Sequence, residues 1–160
     1  MTQIVVVSGN PRPGSRTLTL ATAVGEAIAS RAGAAAPALV DVSTIGAGLL
    51  TPGDAGTAEA VAALREAEIL VVATPTYKGS YTGILKVLLD QLPANALAGK
   101  RAVPVVTAGV APQAAVAEKL LRQLLTELGA DVVDPGLPIV EAELPESAAV
   151  AEKFAASYTW

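Results

Sequence analysis

Short apolar runs and longer helix-spaced patterns alternate along the whole chain. Ile4–Val7 is a run of four β-branched residues and predicts a strand buried on both faces. Leu20, Val24, Ala27 and Ile28 then recur at helical spacing and predict a helix over roughly Ser15–Arg31. Ala38–Val42 predicts a second strand, a Gly/Pro/Thr loop runs through Gly53, and a helix continues to about Glu66. Glu68–Ala73, built on Ile69-Leu70-Val71-Val72, predicts a third strand. A helix over Gly83–Leu92 is stopped by Pro93, and Ala102–Thr107 predicts a fourth strand. Pro112–Leu128 reads as a helix ended by Gly129, Val132–Val140 as a broken fifth strand, and Leu144–Ala156 as a last helix led in by Pro145. The plain Ala/Gly/Thr sequence of Gly46–Ala63 has the character of a mobile loop.

Strand–helix alternation with nearly continuous apolar strands predicts a five-stranded parallel sheet covered by helices on both faces, an α/β architecture with right-handed crossovers. No repeat and no long linker divides the sequence, so residues 1–160 read as one domain. In open sheets of this kind, ligands sit beyond the carboxyl ends of the strands where the strand order reverses. Ser8–Thr17, Thr74–Thr82 and Thr107–Gln113 are the loops at those ends, and a strand order of 2-1-3-4-5 lays them side by side.

The first of these loops, Ser8-Gly9-Asn10-Pro11-Arg12-Pro13-Gly14-Ser15-Arg16-Thr17, runs from a strand into a helix. That arrangement points free backbone N–H groups and a positive helix end at one spot. Pro11 and Pro13 have no N–H. The donors must come from Gly14, Ser15, Arg16 and Thr17, beside two hydroxyls and the Arg16 guanidinium, and such a group suits a phosphate. Gly9 and Gly14 are spaced too widely for a dinucleotide fingerprint, and the lysine of a nucleoside-triphosphate loop is absent. A hydroxyl-rich monophosphate cradle remains, of the kind a flavin mononucleotide needs. The opposing reading is that Ser15 only caps a helix, Gly9 only turns the chain and Arg12 is a solvated charge.

Composition narrows the chemistry further. With no His and no Cys, Ser-His-Asp and Cys-His catalysis, thiol redox chemistry and His/Cys zinc sites are excluded. A net charge of −4 with 11 basic residues leaves no broad cationic face for nucleic acid. No apolar run reaches the roughly eighteen residues of a membrane span. The sequence opens on a strand without a basic region or cleavage site, so no signal peptide is expected, and a cytoplasmic protein is. What chemistry there is falls to a borrowed cofactor, with no metal expected.

The second loop and the helix after it carry the most specific pattern. Pro75, Tyr77, Ser80, Gly83, Leu85, Lys86, Leu89, Asp90 and Leu92 fit Pro-x-Tyr-x-x-Ser-x-x-Gly-x-Leu-Lys-x-x-Leu-Asp-x-Leu, and on these residues the chain closely resembles the NAD(P)H-dependent FMN reductase family. The first loop is similar to that family's phosphate stretch. Ala98-Gly99-Lys100 followed by Thr107-Ala108-Gly109 resembles its third segment. The resemblance extends to about Gly136 and is nearest to the sulfonate-utilisation type, which supplies reduced flavin to a separate monooxygenase. It implies a flavodoxin-like three-layer sandwich with strand order 2-1-3-4-5, FMN, and NADPH or NADH as reductant. It also implies that Ser8, Asn10, Ser15, Arg16 and Thr17 hold the flavin at its phosphate. Pro75, Thr76, Tyr77, Lys78 and Gly79 would border the ribityl chain and ring edge, and Thr107, Ala108 and Gly109 the ring's other side. No single catalytic residue is implied, because hydride transfer needs stacking geometry and a dipole rather than an acid–base side chain.

The chain departs from the family's pattern in three places. Ala108 stands where many relatives have glycine, Val110-Ala111-Pro112-Gln113 lacks their histidine, and Ala115–Arg122 lacks a tyrosine that some monooxygenase partners insert. The alternatives to a reductase are an FMN-binding electron carrier, disfavoured by 3% aromatic residues and mild charge, and a quinone or azo-compound reductase.

Several residues also have simpler readings. Tyr77 and Tyr81 suit packing at a sheet edge, and Lys86–Asp90 suits a surface pair at i, i+4. Val116, Leu120, Leu121, Leu124, Leu125 and Leu128 form a stripe wider than one sheet contact needs. With Ile84, Leu88 and Leu92 it predicts helices buried against another subunit, and the family resemblance implies a homodimer or homotetramer. Trp160 reads as a disordered end or a chance contact.

Overall fold

In a computed structural model describing residues 1–160, the first apolar run forms strand β1 (Ile4–Ser8), every residue of it buried. It sits between β2 (Ala38–Asp41) and β3 (Ile69–Pro75), parallel to both, and β4 (Arg101–Ala108) continues the sheet beyond β3. The order is β2-β1-β3-β4, with the outermost position shared by two short strands. β5 (Asp131–Val132) pairs with Arg101 and Ala102 at the start of β4, and β6 (Leu137–Val140) pairs with Val105–Ala108 at its end.

The break between β5 and β6 has a cause in the neighbouring strand. Pro104 has no N–H to give to a ladder, and the outer strand is interrupted opposite it. Gly136 fills the gap, since a Cβ there would lie 2.6 Å from Pro104 Cγ. The expected broken fifth strand is therefore two strands, and the sheet has six.

The period-2 alternation of β1 divides the core. Val5 and Val7 face a cluster built with α3 (Ala55–Glu66), α4 (Gly83–Leu89) and α5 (Ala111–Glu127) through Leu64, Leu85, Leu121 and Leu125. Ile4 and Val6 face the other cluster, with α1 (Arg16–Ala32) and α6 (Ser147–Ala156) through Leu20, Val24, Ile28 and Phe154. The result is the flavodoxin-like three-layer sandwich. At Gly25 a Cβ would lie only 2.3 Å from Val6 Cγ2, so the missing side chain lets α1 sit close to β1. No helix is long and apolar enough to cross a membrane.

Gly46–Ala63 differs from the expected loop. α2 (Val42–Ile45) and a 3-10 turn (Gly46–Leu50) precede α3, which Asp54 caps by accepting the Thr57 N–H at 2.8 Å. The helix expected to end near Glu66 is α3, and the stretch before it is short helix rather than a mobile loop, tied to α3 by the Thr57 hydroxyl donating to the Gly48 carbonyl at 3.1 Å. The last helix is likewise split, with a 3-10 turn over Glu141–Glu146 before α6.

Candidate functional site

Beyond β1 the chain passes close to the ends of β3 and α4. Gly9 donates its N–H to the Ala73 carbonyl at 2.7 Å, and its own carbonyl accepts the Thr82 hydroxyl at 2.6 Å. A Cβ at Gly9 would lie 2.9 Å from Leu85 Cβ and 3.0 Å from the Ala73 oxygen, so the approach requires glycine. The Thr82 hydroxyl also caps α4 by accepting the Leu85 N–H at 3.2 Å, and the Thr82 N–H donates to the Thr74 hydroxyl at 3.1 Å. The Thr76 hydroxyl donates to the Thr107 carbonyl at 2.8 Å. These bonds join the three carboxyl-end loops into one frame.

Within that frame the first loop is arranged around free donors. Gly14 at φ 61 turns the chain so that Ser15 can cap α1, its Oγ accepting the Leu18 N–H at 3.0 Å. Asn10 Nδ2 donates to Thr17 Oγ1 at 3.1 Å, while Asn10 Oδ1 accepts the Arg12 N–H at 2.9 Å. Both hydroxyl oxygens thus accept a bond from the protein and keep their own proton to give away. The backbone N–H groups of Gly14, Ser15, Arg16 and Thr17 have no acceptor in the chain, as the first turn of a helix leaves them. The cap and the cradle are the same feature: capping directs the Ser15 oxygen inward and leaves its proton outward-going. Four amides, two hydroxyl protons and the Arg16 guanidinium form a donor set that fits a phosphoryl group.

These groups line a cleft of about 380 Å³ together with Pro75, Tyr77 and Thr107, and with Glu141 and Leu144. Arg16 is two-thirds exposed, and its Nη2 lies 4.0 Å from Glu141 Oε2. Two larger hollows beside α3 are lined by Asp41, Asp54 and Glu59, and by Asp54 and Asp90, with no cation in either. An anion has no reason to enter them.

The sequence-predicted residues fall into three groups. Asn10, Ser15, Arg16, Thr17, Pro75, Tyr77 and Thr107 line the cleft, as does Arg12. Ser8 is fully buried at the end of β1, and its Oγ is the one buried side-chain polar atom in the chain without a hydrogen-bond partner. Thr76, Lys78, Gly79, Ala108 and Gly109 stand around the cleft without lining it. Lys78 at φ 54 and Gly79 at φ 80 form the tip of a tight turn closed by the reciprocal bonds between Tyr77 and Ser80. A lysine held there costs about 1 kcal/mol of backbone strain.

Glu141 and Leu144 were not among the sequence-predicted residues. The signal for them is the pairing of Val140 with Ala108, which delivers the residue after the last strand to the same sheet end as the loop after β4.

A family model described as NADPH-dependent FMN reductase matches residues 2–143. The FMN reductase (NADPH) of Pseudomonas aeruginosa is 32% identical over 158 residues, covering 94% of this chain and 83% of that protein. The FMN reductase (NADPH) of Escherichia coli is 40% identical over 74 residues, which is 46% of this chain and 39% of that protein. Among solved structures, an apo NADH:FMN oxidoreductase (EmoB) superposes with a TM-score of 0.84 at 31% identity, covering 98% of this chain and 90% of that one. An archaeal flavodoxin at 20% identity and a TM-score of 0.66 shares the fold.

Proposed function

The chain belongs to the NADPH-dependent FMN reductase family and is an oxidoreductase, and from that premise we propose that it passes a hydride from NADPH or NADH to FMN bound at the carboxyl end of its sheet. The observation that carries this reading is the set of unpaired donors at the start of α1, which has no partner within the protein. The amides of Gly14–Thr17, the Ser15 and Thr17 hydroxyls and Arg16 hold the flavin phosphate. Asn10 fixes Thr17, and buried Ser8 offers its unused hydroxyl beneath the loop. Pro75, Tyr77 and Thr107 continue the binding surface. Thr76, Lys78, Gly79, Ala108 and Gly109 border the ring, with the Thr76–Thr107 bond setting the spacing of the two loops.

When bound, the flavin supplies the hydride acceptor. The protein's part is to hold two ring systems at stacking distance and to exclude water, which needs no proton-transferring side chain. The absence of His and Cys is therefore no handicap. We further propose that reduced FMN leaves to serve a separate monooxygenase, that residues 1–160 act as one domain in the cytoplasm, and that the protein is a homodimer or homotetramer. The exposed Val116 and Leu120 on one face of α5 support the last point.

The test is an FMN titration followed by steady-state oxidation of NADPH and of NADH. Saturable FMN binding with FMN-dependent turnover of either nicotinamide is expected. Tight flavin retention through gel filtration without turnover would instead indicate an electron carrier and overturn the proposal.

A further inference from the structure

Glu141 is the one carboxylate lining a cleft whose other charged residues, Arg12 and Arg16, are cationic. Its position is fixed by the fold. Val140 pairs with Ala108, and the 3-10 turn that follows is anchored by buried Leu144, whose carbonyl accepts the Ser147 hydroxyl at 2.6 Å. Glu141 therefore stands at the mouth of the cradle, 4.0 Å from Arg16. Both side chains are more than half exposed, and an ion pair of that kind adds little to stability. Structural support does not account for it.

A phosphate monoester carries a charge of about −1.5 to −2 at neutral pH. Seated on the amides that open α1, it attracts Arg16, whose 4.0 Å contact with Glu141 is a charge contact without a hydrogen bond, so the two anions divide the attraction of one guanidinium. The carboxylate also repels the second anion beside it. We propose that Glu141 sets the affinity of the site, acting as an internal anion that competes with the flavin's phosphate for Arg16 and holds FMN loosely enough to depart. The inference rests on the FMN reading above and deepens it: FMN behaves as a substrate that exchanges rather than as a permanently bound group. Glu141 is a positioning residue, since it acts through Arg16.

The test compares FMN with riboflavin, which has the same ring and no phosphate. Dissociation constants for both are measured by flavin fluorescence in the wild type, Glu141→Gln, Arg16→Gln and the double variant. Glu141→Gln is expected to tighten FMN by about three- to tenfold and to slow its release. Riboflavin binding should not change, and the gain on FMN should shrink by half or more when Arg16 is already Gln. An unchanged FMN constant in Glu141→Gln, with Arg16→Gln still weakening FMN, overturns this inference alone. Equal tightening of riboflavin overturns it as well. If the wild type binds FMN no better than riboflavin and Arg16→Gln has no effect, the phosphate cradle itself falls, and this inference with it.

Discussion

The two ends of the β-sheet are built from the same buried strands and treat their polar groups in opposite ways. At the amino end, Arg101 opens β4 with its guanidinium 4.6 Å from the centre of the Trp160 ring and 5.6 Å from that of Tyr158. Its Nη1 donates to the Thr159 carbonyl at 2.5 Å, Trp160 Nε1 donates to Ala155 at 2.8 Å, and the Tyr158 hydroxyl donates to Pro135 at 2.6 Å. Phe154 completes a three-ring cluster with centroids 5.5 to 6.3 Å apart. Lys100 Nζ donates to the Arg65 and Ala67 carbonyls. At the carboxyl end, four amides, two hydroxyl protons and the Ser8 oxygen have nothing to bond to in the chain. Native proteins pair nearly all buried groups of this kind, and of these residues Ser8 and Thr17 are buried. An end that is finished serves stability, and an end left open has donors to offer a ligand.

The sharpest way to break this contrast is at the open end. Ser15→Ala with Arg16→Ala removes a hydroxyl donor and the guanidinium together. Charge-assisted bonds contribute roughly 1.5–3 kcal/mol each, so FMN affinity should fall by about a hundredfold or more. Stability should drop only by the value of one helix cap, about 1 kcal/mol. Fluorescence titration and thermal melts read the two quantities separately, and an unchanged flavin affinity would sink the cradle.

The closed end should respond the other way round. Trp160→Ala strips the ring from Arg101, opens the aromatic cluster and leaves the Ala155 carbonyl without its indole donor. A loss of about 2–3 kcal/mol in unfolding free energy is expected, from apolar burial, ring–ring contact and the cation–π contact together. Flavin affinity should stay within a factor of about two, because the tail and the cradle share no hydrogen bond. A Trp160→Ala protein that melts normally but binds FMN poorly would show that the ends are not independent.

How far the sequence foretells each end follows the range of the interactions involved. The cradle is local: strand, loop and helix start lie within Ile4–Thr17, and period and cap chemistry suffice to read them. The specific pattern at Pro75–Leu92 is local too. Glu141 escapes a local reading because it reaches the cleft through the register of a long-range strand pairing, Val140 against Ala108. Trp160 reads as a disordered or incidental end because Arg101, the cation its ring covers, is distant in sequence. Arg101 and Phe154 both reach the Trp160 ring only once the end of the chain has folded back to the start of β4. Arg12 presents a smaller case: its charge was read as solvated, and it is exposed, yet it lines the cleft because its N–H is held by Asn10.

The mildest test of the contrast is pH. Burial pushes the Tyr158 phenol above its ordinary value of 10.0, nearby Asp134 pushes the same way, and Arg122 and Arg101 pull it down. The folded state thus keeps the phenolic proton longer than the unfolded chain does, and that proton makes the bond to Pro135. Its contribution to stability is fully present below a pH of about 10 and is lost as pH rises through the higher native value. Lys86, whose ammonium is raised by its hydrogen bond to Asp90 and by that carboxylate's charge, loses stability in the same direction. Wild type alone therefore cannot isolate the tail. Tyr158→Phe keeps the ring and Lys86 while removing the proton, so its melting temperature should fall less steeply than the wild type's between pH of about 9.5 and 11. Parallel slopes would mean that the Tyr158 hydroxyl adds nothing to the closed end, leaving the ring contacts with Arg101 to hold it.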